Sequence, residues 1–204
     1  MSRYTGPRLK KLRALGVNLP GLTQLQIDRR PYPPGQHGQA RRGRLTEYAL
    51  QLREKQKIAL NYGLTDRQLR RLMDQSRRSS TPTGVKLAEL VERRLDNIVF
   101  RIGWANTIPA ARQLVNHRHI QVNGRRTDIA SYRVKIGDRI ELCKRSEEHA
   151  AVVEALDTGR PYLPWFLESS NDDKTWVVTG NPGVADIPFP LDLKLIIEYY
   201  SRLL

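Results

Sequence analysis

Between Ile108 and Leu142 the spacing of apolar residues changes from one that suits a helix to one that suits short strands. Ile108, Ala111, Leu114 and Val115 recur at helical spacing, with Thr107 placed as a cap and Pro109 tolerated in the first turn. Ile120 and Val122 then alternate as in a half-buried strand. Asn123-Gly124 follows, the strongest short hairpin signal, because a tight turn between antiparallel strands needs positive φ at both positions. A second strand pair is expected near 134–136 and 140–142, turning at Gly137-Asp138. So rapid a change of period defines a small α+β module. Its cations gather on the helix and at the first turn, a layout suited to a phosphate backbone, and no catalytic motif stands beside them.

The charge of the whole chain agrees. The 204 residues carry a net +14, distributed as +14 over residues 1–86, +6 over 87–145 and −6 over 146–204. Charge of this size speaks of polyanion binding and solubility, not of fold. Arginine dominates the basic part, and its planar fork of donors suits phosphate and stacks on bases, which favours nucleic acid over a lipid surface. The acidic tail is expected to face water or a basic protein. No run of 18 apolar residues exists, so no membrane span is expected. Cys143 is the single cysteine, which excludes an internal disulfide and a cysteine-rich zinc site; a buried strand position in a reducing compartment fits it.

Residues 1–44 hold Gly6-Pro7, Pro20-Gly21, Pro31 and Pro33-Pro34-Gly35 among many cations. Such a segment is expected to lack the apolar surface needed to offset its ordering entropy, and to order only against a partner. A solvated tail is the plainer alternative. A retained binding arm is preferred because cations alternate with turn residues, and Tyr4, Tyr32 and His37 are suited to stacking. A transit peptide is the weaker alternative, since the basic N-terminus is short and broken at Gly6-Pro7.

Thr46 caps a helix expected from Glu47 to about Asn61, stopped by Gly63, and Thr65 to Gln68 is a capping box opening a second. Arg67, Arg70, Arg71, Arg77 and Arg78 load the outside of the latter. Ser79 to Gly84 reads as a linker. Leu87 to Gly103 reads as one helix, with Leu87, Leu90, Val91, Leu95, Ile98, Val99 and Ile102 in helical period. Trp165–Glu168 and Thr175–Thr179 are expected to pair as strands. Leu193, Ile196, Ile197 and Tyr200 mark a last helix whose apolar face needs a partner, for which the helices near residues 47–75 are the candidates. The resulting organisation is a basic arm (1–44), a helical domain (45–86) completed by 189–204, and a module with a sheet extension (87–188, core about 93–156).

Several of these runs are familiar. Arg94-Leu-Asp-Asn-Ile-Val-Phe-Arg-Ile-Gly103, Ala111-Arg-Gln-Leu-Val115, Ile120-Gln-Val-Asn-Gly124 and Ile129-Ala-Ser-Tyr132 resemble the RNA-binding module of the small-subunit ribosomal protein uS4 family. Met1-Ser-Arg-Tyr-Thr-Gly-Pro7, Pro34-Gly-Gln-His-Gly38 and Leu52-Arg-Glu-Lys-Gln-Lys57 resemble the same family outside the module. The resemblance implies a bacterial or plastid type, located on the ribosome in the cytoplasm or the plastid stroma. It implies a structural constituent of the small subunit that binds 16S-type rRNA early in assembly. It further implies a neighbour, uS5, a functional link to uS12 in decoding accuracy, and in some members binding to their own mRNA. Some relatives hold a cysteine-liganded zinc near the N-terminus; this chain has no cysteine there, so no metal or other cofactor is expected.

The residues expected to bind RNA fall in three groups. The arm supplies Arg3, Arg8, Lys10, Lys11, Arg13, Gln36, His37, Arg41, Arg42 and Arg44; the first long helix supplies Tyr48, Gln51, Arg53, Lys55, Gln56 and Lys57. The module supplies Arg93, Arg94, Arg112, Asn116, His117, Arg118, Asn123, Arg125 and Arg126. Arginines take phosphates, and Asn116 and Asn123 take sugars or bases, though the turn alone also explains Asn123. His117 and His119 flank Arg118 without a third ligand nearby, so a phosphate contact or plain exposure is preferred to a metal. Asp96 is expected to pair with an arginine or to cap locally. Two other functions compete. Arg94-Leu95-Asp96 echoes the catalytic run of pseudouridine synthases, but it lies inside a periodic helix and leaves little room for a catalytic domain. A stand-alone RNA-binding regulator would need little beyond residues 93–145.

Overall fold

The computed structural model describes residues 4–40, 44–159, 163–170 and 174–202. The chain divides into two compact units, Met1–Leu87 with Ile187–Leu204, and Ala88–Asp186.

In the first unit, α1 (Arg8–Leu15) ends at Gly16, whose N–H donates to the carbonyl of Leu12 at 2.7 Å and whose left-handed φ of 70° turns the chain out of the helix. This corrects the expectation that the arm orders only against a partner. Leu12, Leu15, Leu19 and Leu22 are buried, each contributing on the order of 1.5–3 kcal/mol. The Gly21 N–H donates to Asn61 Oδ1 (2.9 Å), and Arg53 donates to the carbonyl of Ala14 (3.1 Å). A reading keyed to helix breakers and charge passes over those four leucines. Residues 23–40 form turns and loop, mostly exposed.

The capped helices are present. In α2 (Glu47–Asn61) the Thr46 hydroxyl accepts from Ala49 N, and α3 (Asp66–Arg77) opens with the full Thr65–Gln68 capping box. The final helix packs on α2 and α3, burying Ile196 and Tyr200, with the Tyr200 hydroxyl 3.5 Å from Asp66 Oδ1. It is numbered α8 (Leu193–Ser201) and fulfils the need for a partner read from its apolar face.

The expected helix from Leu87 to Gly103 is two helices, α4 (Thr83–Glu92) and α5 (Leu95–Ile102). Arg94 is extended (φ −71°, ψ 137°) and bridges Arg133, while the N–H groups of Leu95 and Asp96 donate to the carbonyls of Tyr132 and Ala130. Leu87, Leu90, Val91, Leu95, Ile98, Val99 and Ile102 are all buried, and their spacing in the sequence gives no sign of the break. Thr83 and Gly84, assigned to a linker, belong to α4.

In the second unit, α6 (Ile108–Asn116) is capped by Thr107, with Pro109 in its first turn. The sheet is wholly antiparallel in the order β2-β1-β3-β5-β4: β1 (Ile120–Val122), β2 (Arg125–Arg126), β3 (Arg139–Leu142), β4 (Leu167–Ser169) and β5 (Thr175–Val178). The strand expected at 134–136 is absent. Val134 N–H instead donates to the carbonyl of Arg93, and β3 pairs with β1 and β5. Like α1, the helix α7 (Ala150–Thr158), capped by the His149 ring, has no counterpart among the elements expected from the sequence.

Candidate nucleic-acid interface

The β1–β2 hairpin holds the clearest exposed cations of the module. Asn123 and Gly124 take φ of 52° and 74°, both left-handed, as this tight turn requires. Asn123 is held further: Oδ1 accepts from Arg139 N (2.9 Å), and Nδ2 donates to Asp138 Oδ1 (2.9 Å). Its side chain is thus committed to the turn, which favours the structural role over base contact. The same turn presents Arg125 and Arg126, both exposed.

The helical cations behave differently. Asp96 is fully buried, and its carboxylate takes Arg94 on both oxygens (3.0 and 2.8 Å) and Arg112 on Oδ2 (3.2 and 2.7 Å). Oδ1 also accepts from Asn97 N (3.0 Å), so the acid both pairs and caps. Arg94 is therefore a core residue, a correction to its expected surface role; Arg112 keeps a partly exposed edge. Two guanidinium groups on one carboxylate leave a net positive charge there. The same geometry leaves Asp96 no exposure for chemistry on a base. Arg93 donates to the carbonyl of Val134 (2.7 Å), to Glu89 (2.7 Å) and to Asn181 Oδ1 (3.4 Å). Arg101, in α5, is fully buried against Glu92 at 2.9 Å.

Asn116, His117 and Arg118 are exposed where α6 ends. Arg118 has a φ of 62° and pairs with Asp128 at 2.7 Å. The pair of histidines gains a neighbour that the sequence could not show: the His149 ring lies 4.9 Å from that of His119. Among the described residues no group of histidine, cysteine or acidic side chains is arranged to hold a metal. Burial pushes the His119 pKa below its ordinary 6.5, with His149, His117 and Arg145 adding repulsion, while its Nδ1 lies 2.8 Å from Ser146 Oγ. Cys143 is buried just after β3, and its thiol donates to the carbonyl of Arg118 (3.3 Å).

In the first unit, Lys10, Gln36, His37, Arg44, Tyr48 and Gln56 are exposed. Arg8 donates to the carbonyl of Leu22 (3.1 Å), and Arg13 to those of Tyr32 (3.0 Å) and Pro33 (3.2 Å), with its guanidinium 4.9 Å over the Tyr32 ring. Lys11 sits 5.3 Å over the Tyr4 ring. Lys55 pairs with Asp66 at 2.5 Å and lowers the pKa of that carboxyl. Gln51 and Lys57 are corrections. Gln51 is buried between Glu47 and Glu198, and Lys57 between Glu54 and the carbonyl of Pro190, because α8 and its approach cover that side of α2. Arg3, Arg41 and Arg42 lie outside the described residues.

The fold and this charge layout define an α+β protein with a helical basic unit and a compact module that displays cations from a tight hairpin. Residues 3–92 match the model of the ribosomal protein S4/S9 N-terminal domain, and residues 93–140 match that of the S4 domain. The chain is 47% identical to small ribosomal subunit protein uS4 of Methylobacillus flagellatus, 48% to uS4B of Nitrosomonas europaea and 49% to uS4 of Synechococcus elongatus, each across 99% of both chains. It belongs to the small ribosomal subunit protein uS4 family. No helix among the described residues is long and apolar enough to cross a membrane.

Proposed function

We propose that this chain is a structural constituent of the small ribosomal subunit that binds 16S-type rRNA early and so nucleates assembly. The observation that carries this is kinship along 99% of both chains with relatives named as small-subunit proteins, joined to a hairpin that exposes Arg125 and Arg126. Arg125, Arg126, Lys10, Arg44 and the outer edge of Arg112 take phosphates, releasing counterions as they do. Asn116 and His117, exposed where α6 ends, take sugar or base edges. On the subunit the chain neighbours uS5 and, together with uS5 and uS12, influences decoding accuracy. The helical first unit, with its own buried leucines, favours embedding in a large ribonucleoprotein over a stand-alone regulator.

Reconstitution tests it. Small-subunit rRNA and the small-subunit proteins of a close bacterial relative are mixed without the relative's own uS4, and this chain is added. Particles sedimenting as complete subunits are the expected outcome; incomplete particles, no different from those formed without it, would overturn the proposal.

A further inference from the structure

The three tryptophans of the chain are treated differently by the fold. Trp104 and Trp176 are 0% and 1% exposed, whereas Trp165 is 65% exposed, the most of any large apolar side chain among the described residues. The Trp165 indole is nevertheless seated. It stands edge-on to Phe166 (ring centroids 6.1 Å apart, 89° between planes), and its six-membered ring lies so close over Gly180 that a Cβ there would come within 2.5 Å of it. The φ of Gly180 is one that any residue adopts, so the approach of the indole accounts for the glycine. The backbone on either side is tied down: Leu167 N donates to the carbonyl of Pro164 (3.2 Å), and Thr179 N to that of Phe166 (2.9 Å). A large aromatic held in place yet left in water presents an open face that a partner can cover.

The surroundings indicate what does. Asn181 follows Gly180 and accepts from Arg93 at 3.4 Å; Arg93 and Arg94 are joined to the segment of Arg133 through the Val134 N–H and the Arg94–Arg133 bridge. Arg133 is an exposed residue, yet partial desolvation and then crowding by Arg93 and Arg94 lower its pKa. Glu89 and Asp96 pair with Arg93 and Arg94, and the group keeps a net positive charge. Arg94 is itself buried, so the cation open to a ligand in this group is Arg133; a flat apolar ring on a segment tied to this group through Asn181 matches an unpaired nucleotide, with its base on the ring and its phosphate toward Arg133. A basic protein segment would meet repulsion from those arginines.

We infer that Trp165, seated on Gly180, is a stacking platform for an unpaired base of the RNA, a site separate in sequence from the cations of the hairpin. This rests on the rRNA-binding proposal above. Stacking releases no counterions, so loss of the platform should lower affinity without changing its salt dependence.

The test uses the full chain and a small-subunit rRNA transcript, with an unrelated structured RNA of equal length as control. Trp165→Ala should bind roughly tenfold more weakly, with an unchanged salt slope. Trp165→Phe should fall between it and the parent, and Gly180→Ala, which displaces the indole, should weaken binding in the same direction. Acrylamide quenching gives an independent readout, since Trp165 is the exposed tryptophan: saturating rRNA should protect it. Parent-like affinity of Trp165→Ala, with the indole still quenched in a selective complex, would overturn the platform and leave the rRNA proposal standing. Protection gained only on adding basic small-subunit proteins would also overturn it, in favour of a protein partner. Equal binding of the parent to both RNAs would overturn both proposals.

Discussion

Arg112 Nη2 donates to Asp96 Oδ2 at 2.7 Å, and the same carboxylate holds Arg94 from the other side. One buried acid therefore fixes the start of α5, the side of α6 and the extended residue between α4 and α5.

Removing that charge leaves the Arg94 guanidinium buried without its counter-ion. Asp96→Asn is expected to lower unfolding stability by about 3 kcal/mol or more, in the range for breaking a buried pair. Urea denaturation of both proteins measures this. The exposed Arg78–Asp74 pair is the control, and Asp74→Asn should leave the midpoint almost unmoved.

Asn123 tests the division between turn and binding. Asn123→Ala loses two side-chain hydrogen bonds and places alanine at a φ of 52°, so a loss of about 1–3 kcal/mol is expected. Once the variant is folded, the salt dependence of its RNA binding should match the parent. A changed slope in a stably folded variant would mean that the turn was not the reason for this residue.

His119 makes stability depend on pH in a defined direction. Its pKa in the fold lies below 6.5, so below pH 6.5 the unfolded chain takes up a proton that the folded chain resists. Stability is full above pH 6.5 and declines as pH falls, levelling off once the folded value is passed. Thermal melts between pH 8 and 5 of the parent and of His119→Gln should show a shallower decline in the variant. Identical slopes would remove His119 from the account.

How much of this was legible follows from how local each cause is. Thr46, Thr65 and Thr107 act on N–H groups three residues ahead, and Asn123-Gly124 sets its own backbone, so each could be read directly. The break at Arg93-Arg94 depends on pairing with Arg133, which nothing near residue 94 encodes. Gln51 and Lys57 look like surface residues until α8 and its approach cover them from the far end of the chain. Arg94 has the composition of a phosphate ligand and the position of a core ion pair. Trp165 reads from the sequence as the start of a strand, which begins only at Leu167, and nothing in that run marks the indole as exposed; only its seat over Gly180 does.

The most direct measurement is the affinity of the parent and of Arg125→Glu/Arg126→Glu for small-subunit rRNA fragments across a salt series, against an unrelated structured RNA of equal length. The parent should select one fragment with a steep salt dependence. The double variant should bind more weakly, with a slope reduced by roughly two and an unchanged melting temperature. Parent binding that does not distinguish the RNAs, or a double variant with the parent's affinity and slope, would contradict the central claim.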